Sequence, residues 1–99
     1  MAEKRTRSKR VRYLMRLFVS GDAPNSRIAQ DNLKRLQESF PDEKFSVEIV
    51  DVNIQPEAAL DCGIFITPSL QIVEPPPCYM VYGNLSDTEA LLRMLRIKK

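Results

Sequence analysis

From Tyr13 to Val19 a single charge, Arg16, interrupts an otherwise apolar run. A segment apolar on both faces is what a central strand needs when helices cover a sheet from either side, so a strand is predicted over Val11 to Ser20. Gly21-Asp22-Ala23-Pro24-Asn25-Ser26 follows, a set of turn residues ending in a candidate helix cap at Asn25 or Ser26. Ala29, Leu33, Leu36 and Phe40 then recur at i, i+4, i+7 and i+11 as one helical stripe, with Arg27, Asp31, Lys34, Arg35 and Glu38 mostly off it. The pairs Asp31/Arg35 and Lys34/Glu38 sit four residues apart and add about 0.2–0.5 kcal/mol each to that helix. Pro41 ends it.

Lys44 to Val52 alternates, with Phe45, Val47 and Ile49 on one face and Ser46, Glu48 and Val50 on the other, and so predicts a second strand. Pro56-Glu57-Ala58-Ala59-Leu60, with Gly63 beyond, predicts a short helix opened by proline and closed by glycine. Ser69 to Glu74 and Cys78 to Tyr82 read as two further strands. Pro75, Pro76 and Pro77 join them and cannot donate ladder hydrogen bonds, which predicts a stiff, extended elbow outside the sheet. Ser86-Asp87-Thr88-Glu89 has the spacing of a capping box and introduces Leu91, Leu92 and Leu95 on a terminal helix. The βαβαββα order, a parallel pair followed by a hairpin, predicts a single α/β domain of thioredoxin-like arrangement, with a mixed four-stranded sheet flanked by helices.

Ninety-nine residues, with 43% hydrophobic and 28% charged side chains, suit one small globular core. The longest mostly apolar uncharged stretch, Cys62 to Val73, is too short to span a bilayer and contains Pro68, and no secretory signal is visible, so a cytoplasmic protein without membrane contacts is expected. The net charge of +2 is unevenly spread. Residues 1–12 hold Lys4, Arg5, Arg7, Lys9, Arg10 and Arg12 against Glu3, a local charge of +5, which leaves −3 on the rest. A disordered basic arm over 1–10 and a folded domain over 11–99 are expected. No aromatic residue interleaves the basic ones for base stacking, so nucleic acid is not the expected partner.

The chain contains no histidine and two cysteines, Cys62 and Cys78. Cys/His zinc sites, Cys-His dyads and Ser-His-Asp triads are therefore excluded, and the two cysteines are expected to be buried or inert thiols. Thr67-Pro68, between the second helix and the third strand, stands where thioredoxin-like folds place a cis-proline. Thiol redox chemistry of that fold needs a thiolate at the start of the first helix, where the dipole and free N–H groups lower its pKa. Ala23, Pro24, Asn25 and Ser26 occupy that place, so a disulfide oxidoreductase is disfavoured. Gly21, Gly63 and Gly83 form no phosphate-cradling loop, and Asp22, Asp51 and Asp87 lie on separate connections without metal-ligand spacing. No catalytic residue, metal ligand or cofactor is assigned, and binding is the better class of function.

Five segments in order resemble the KaiB family of circadian clock proteins: Leu17 to Ser26, Val50-Asp51-Val52 with Pro56, Thr67-Pro68-Ser69-Leu70, Pro75-Pro76-Pro77, and Tyr82-Gly83-Asn84-Leu85-Ser86-Asp87. The resemblance implies a non-enzymatic adaptor that docks on the ATPase ring of a KaiC-type partner, with KaiA-like proteins or a histidine kinase as further partners. A KaiB-like interaction domain in another signalling or stress pathway is the alternative. The related sensor domain of the clock histidine kinase SasA has the same thioredoxin-like form. By analogy, the docking residues here are Pro56, Glu57, Asp61 and Cys62 on the second helix, with Pro75, Pro76 and Pro77 at the elbow, and Pro68 is the structural cis-proline. Family members often carry lysine where this chain has Glu48 and Gly63. They can also switch the fold of their C-terminal half and self-associate. Glycine and aspartate are common in the family where this chain has Met94 and Arg96. Both replacements favour helix over 87–97 by propensity, which predicts a bias toward the thioredoxin-like state and a monomer or weak homo-oligomer.

Overall fold

The computed structural model describes residues 12–97. Within them β1 (Arg12–Val19), α1 (Pro24–Ser39), β2 (Lys44–Asp51), α2 (Pro56–Asp61), β3 (Ser69–Glu74), β4 (Tyr79–Tyr82) and α3 (Thr88–Leu95) follow in that order. The basic arm expected over 1–10 lies outside the described residues. The strands form one sheet in the order β2-β1-β3-β4. β1 runs parallel to β2 and antiparallel to β3, and β3 and β4 are antiparallel. This is the thioredoxin-like topology the pattern predicts, with β1 and β3 central and β2 and β4 at the edges.

β1 is apolar on both faces because it feeds two cores. Tyr13, Met15, Leu17 and Val19 pack with Ala29, Leu33 and Leu36 of α1 and Leu91, Leu92 and Leu95 of α3. Phe18 turns the other way and packs with Val50, Ala59 and Ile64. Successive strand residues face opposite sides, so the alternation alone sorts these side chains. The helical cover is unequal: α1 and α3 share the larger core, while the six-residue α2 covers only part of the opposite face.

The helix ends depart from the predicted caps. α1 begins at Pro24 with Ala23 as its cap and no side-chain cap bond, so neither Asn25 nor Ser26 caps it. Ser26 is instead buried inside the first turn, and its hydroxyl accepts the N–H of Ser20 at 3.0 Å, fastening helix to strand. α3 is capped by Asp87, whose carboxylate accepts the N–H of Ala90 at 3.0 Å, rather than by Ser86. The Ser86 N–H that a capping box requires is already bonded to Asn84 Oδ1 at 3.1 Å, which moves the cap one residue on.

At its other end α3 stops at Leu95, and Arg96 adopts the left-handed conformation, φ +60° and ψ +36°. The Arg96 N–H bonds to the Arg93 carbonyl and the Ile97 N–H to the Leu92 carbonyl, with Ile97 and Leu92 both buried. That is a Schellman closure with its usual apolar contact, made on an arginine where glycine is the unstrained residue. The expectation that Arg96 favours the helix by propensity is therefore overturned: helix propensity does not apply at a left-handed cap. Met94 stays within α3.

Thr67–Pro68 is cis as expected, and Glu74–Pro75 and Pro76–Pro77 are cis as well, so the connection before β4 is not the uniformly extended elbow predicted. β4 begins at Tyr79, one residue later than expected.

Candidate functional site

α2 is placed by the short segments on either side of it. Asp51 at the end of β2 accepts the N–H groups of Gly21 at 3.2 Å and Asn53 at 2.9 Å, and Asn53 Nδ2 reaches Ser20 Oγ at 3.2 Å. The turn into the helix is thus tied to the turn leaving β1. At its C-terminus Gly63, at φ +70°, donates to the Leu60 carbonyl, and the buried Ile64 donates to that of Ala59 at 2.8 Å. This second Schellman closure uses the glycine the sequence predicts as the stop. Ser69 Oγ then bonds the Ile66 carbonyl and joins the loop to the start of β3.

Helical spacing divides the α2 residues between two directions. Ala59 is buried against the sheet, and Cys62, three residues on, is half-buried on the same side. The Cys62 thiol accepts from Arg16 Nη1 at 3.4 Å and points its own hydrogen at Gln71 Oε1, 3.9 Å away. Arg16 lies with its guanidinium carbon 5.2 Å from the centre of the Phe18 ring, and its Nε stands 3.3 Å from Glu48 Oε1. The N–H direction misses that carboxylate, so Nε is buried without a hydrogen bond although its charge is opposed. This polar row crosses from β2 over β1 to β3, because Glu48 pairs with Arg16 and Arg16 with Gln71.

Pro56, Glu57, Leu60 and Asp61 face solvent. Of the predicted docking residues on this helix, Pro56, Glu57 and Asp61 are therefore available to a partner, whereas Cys62 anchors the helix to the sheet. Neither cysteine is fully buried, and Cys78 is exposed. Pro75, Pro76 and Pro77 do not join this surface. They leave the far end of β3, about 20 Å of strand from Pro68 at 3.3–3.4 Å per residue. There they line a cleft of about 220 Å³ with Met94, Leu95 and Arg96. The single surface expected from sequence is thus two.

Sequence reasoning missed the apolar side chains beside α2. Ile54, Leu60, Phe65 and Ile66 are all exposed. The signal was the bulky pair Phe65-Ile66 between the Gly63 stop and Thr67-Pro68, where only Ile64 is drawn inward. At the start of α1, Ala23 to Ser26 present no thiol, and no cluster of potential metal ligands exists among the described residues.

Fold and site together define a thioredoxin-like domain that lacks the redox thiol at its first helix and displays a small, solvent-facing second helix. Residues 16–97 match the model of the KaiB domain, and the chain belongs to the KaiB family of circadian clock proteins. It is 36% identical over 80 residues to the circadian clock oscillator protein KaiB of Prochlorococcus marinus, covering 81% of this chain and 75% of that one. Against KaiB of Nostoc punctiforme the identity is 35% over 80 residues, covering 81% and 77%. Among solved structures, the N-terminal domain of Synechococcus elongatus SasA superposes with a TM-score of 0.72 at 22% identity, covering 87% of this chain and 85% of that one. Fasciola hepatica thioredoxin superposes with 0.68 at 20% identity, covering 97% and 90%. Both of these likenesses concern the fold.

Proposed function

We propose that this protein is a non-enzymatic KaiB-like adaptor that binds a KaiC-type ATPase ring in a circadian clock or a clock-derived regulatory system. The carrying observation is the family match over residues 16–97 on a chain already in the thioredoxin-like form, with α2 held out to solvent by closures at both ends. In this reading Pro56, Glu57 and Asp61 contact the partner, Cys62 positions their helix, and the Pro75–Pro77 elbow forms a separate, second contact. Met94 supports the binding-competent state by keeping α3 helical. The protein acts in the cytoplasm; no helix among the described residues is long and apolar enough to cross a membrane.

The chemistry of the chain disfavours catalysis. The dipole and free N–H groups of α1 have no thiol to activate at Ala23 to Ser26, and Cys62 sits at the other end of a different helix. The test is biolayer interferometry of the full chain on an immobilised KaiC-type ring with ATP or ADP. Saturable binding that depends on the nucleotide is expected; no binding in either state would remove the reading.

A further inference from the structure

The surface around α2 has a distinctive composition. Phe65 is 86% exposed, Ile54 77%, Leu60 69% and Ile66 57%. They follow one another along the turn before α2, the helix itself and the loop after it. On the helix, Glu57, Leu60 and Asp61 stand at i, i+3 and i+4 and so share one face, which places carboxylates beside the apolar side chains. Between Glu48 and Glu74 the chain carries Asp51, Glu57 and Asp61 and no lysine or arginine, and the Arg16 guanidinium beneath α2 is itself opposed by Glu48. Large apolar side chains grouped in water and bordered by charge mark interaction sites.

We propose that this apolar, acid-rimmed surface seats a folded partner protein bearing an apolar patch bordered by lysine and arginine. The setting rests on the adaptor reading above, while the partner's chemistry is read from the surface itself. A second copy of this chain fits poorly, because a two-fold contact sets the same patch against itself and so brings the Glu57 and Asp61 carboxylates of one copy against the acidic rim of the other. An anionic membrane repels the same rim. A basic-rimmed protein surface gains both apolar burial and electrostatic steering.

The experiment uses the full 15N-labelled chain and four probes: an amphipathic helical peptide of leucine and lysine, its leucine and glutamate counterpart, phosphatidylcholine vesicles, and the KaiC-type ring. Shifts confined to residues 54–66 with the lysine peptide, and absent with the glutamate peptide, are expected. On the ring, Phe65→Ser with Ile66→Ser should weaken binding about 30-fold or more, as for a buried anchor. Glu57→Lys with Asp61→Lys should slow association about 10-fold or more, an effect that added salt erases. Lys34→Ala on α1 should change neither. Equal shifts with both peptides, or shifts elsewhere, overturn the proposal. So does vesicle binding, or a dimer, that the Phe65 and Ile66 variant abolishes. A ring that binds the parent but ignores both double variants overturns it while leaving the adaptor reading intact. A ring that binds nothing removes the adaptor reading, and the peptide arm then decides the surface alone.

Discussion

The hydroxyl of Tyr13, in the first strand, donates to the carbonyl oxygen of Leu95, the last residue of the last helix, at 3.0 Å and across 82 positions of sequence. The ring is buried in the larger core and stacks on Phe45, with centroids 5.3 Å apart. One side chain thus ties β1, β2 and the end of α3 together. A carbonyl at a helix terminus has no partner within its own helix, and here the phenol supplies one.

Tyr13→Phe should therefore lower stability by about 1 kcal/mol, the net worth of one hydrogen bond, measured by urea unfolding. Burial, and secondarily the Glu43 carboxylate, push the Tyr13 phenol above its ordinary value of 10.0. The folded state holds this proton more tightly than the unfolded one, so the contribution is fully present below about pH 10 and is lost as pH rises through the raised value. The parent should show this alkaline decline, and Tyr13→Phe should lack that component.

The two left-handed caps make opposite predictions. A Cβ at Gly63 would meet nothing within 4 Å, so Gly63→Ala costs only the backbone conformation, about 1 kcal/mol. Arg96→Gly removes that same strain and should raise stability by about 1 kcal/mol, while Arg96→Asp should stay within about 0.5 kcal/mol of the parent, since aspartate tolerates this region. Met94→Gly, inside α3, should lower stability by roughly 0.5–1 kcal/mol. Thermal unfolding of the four variants checks all of these; a destabilised Arg96→Gly would contradict the cap.

Ile64 anchors the end of α2 in the smaller core beside Phe18, Val50 and Ala59. Ile64→Ala should cost about 2–4 kcal/mol and loosen α2 more than α1, because α1 packs in the other core. Hydrogen exchange should then show faster exchange at Cys62 and Ile64 amides with little change at Leu33 and Leu36.

Insulin reduction by the parent should not exceed the rate with dithiothreitol alone, and Cys62→Ser should leave that rate unchanged. Turnover lost on this substitution would show that the thiol beside Arg16 is reactive.

Element order and the central place of β1 were legible because the periodicities are strong: apolar on both faces for β1, alternating for β2, one stripe for α1. The helix starts were harder. Ser26 and Ser86 have cap chemistry, but one is used to bind the Ser20 N–H and the other has its own N–H taken by Asn84. Such competition among nearby polar groups is settled by three-dimensional neighbours, which local pattern does not contain. Arg96 was misjudged for a related reason: helix propensity describes an interior residue, and the termination depended on the burial of Ile97 one position on. For the site, α2 was legible from proline and glycine punctuation. The separation of the elbow from it followed from β3 lying between them, and the exposure of Phe65 depended on the Gly63 closure drawing in Ile64 alone.

Arg16 also constrains how β1 can lie. Its guanidinium sits among Glu48, Cys62 and Phe18 on the α2 side, while its neighbours Met15 and Leu17 fill the opposite core. A slip of β1 by one position would carry the charge in among the leucines of α1 and α3 and turn Met15 and Leu17 toward the polar row. No such shifted arrangement could satisfy both faces at once. Arg16, the cation in the middle of this mostly apolar strand, thereby acts as a key that admits a single register, even though its pairing with the exposed Glu48 adds little strength by itself.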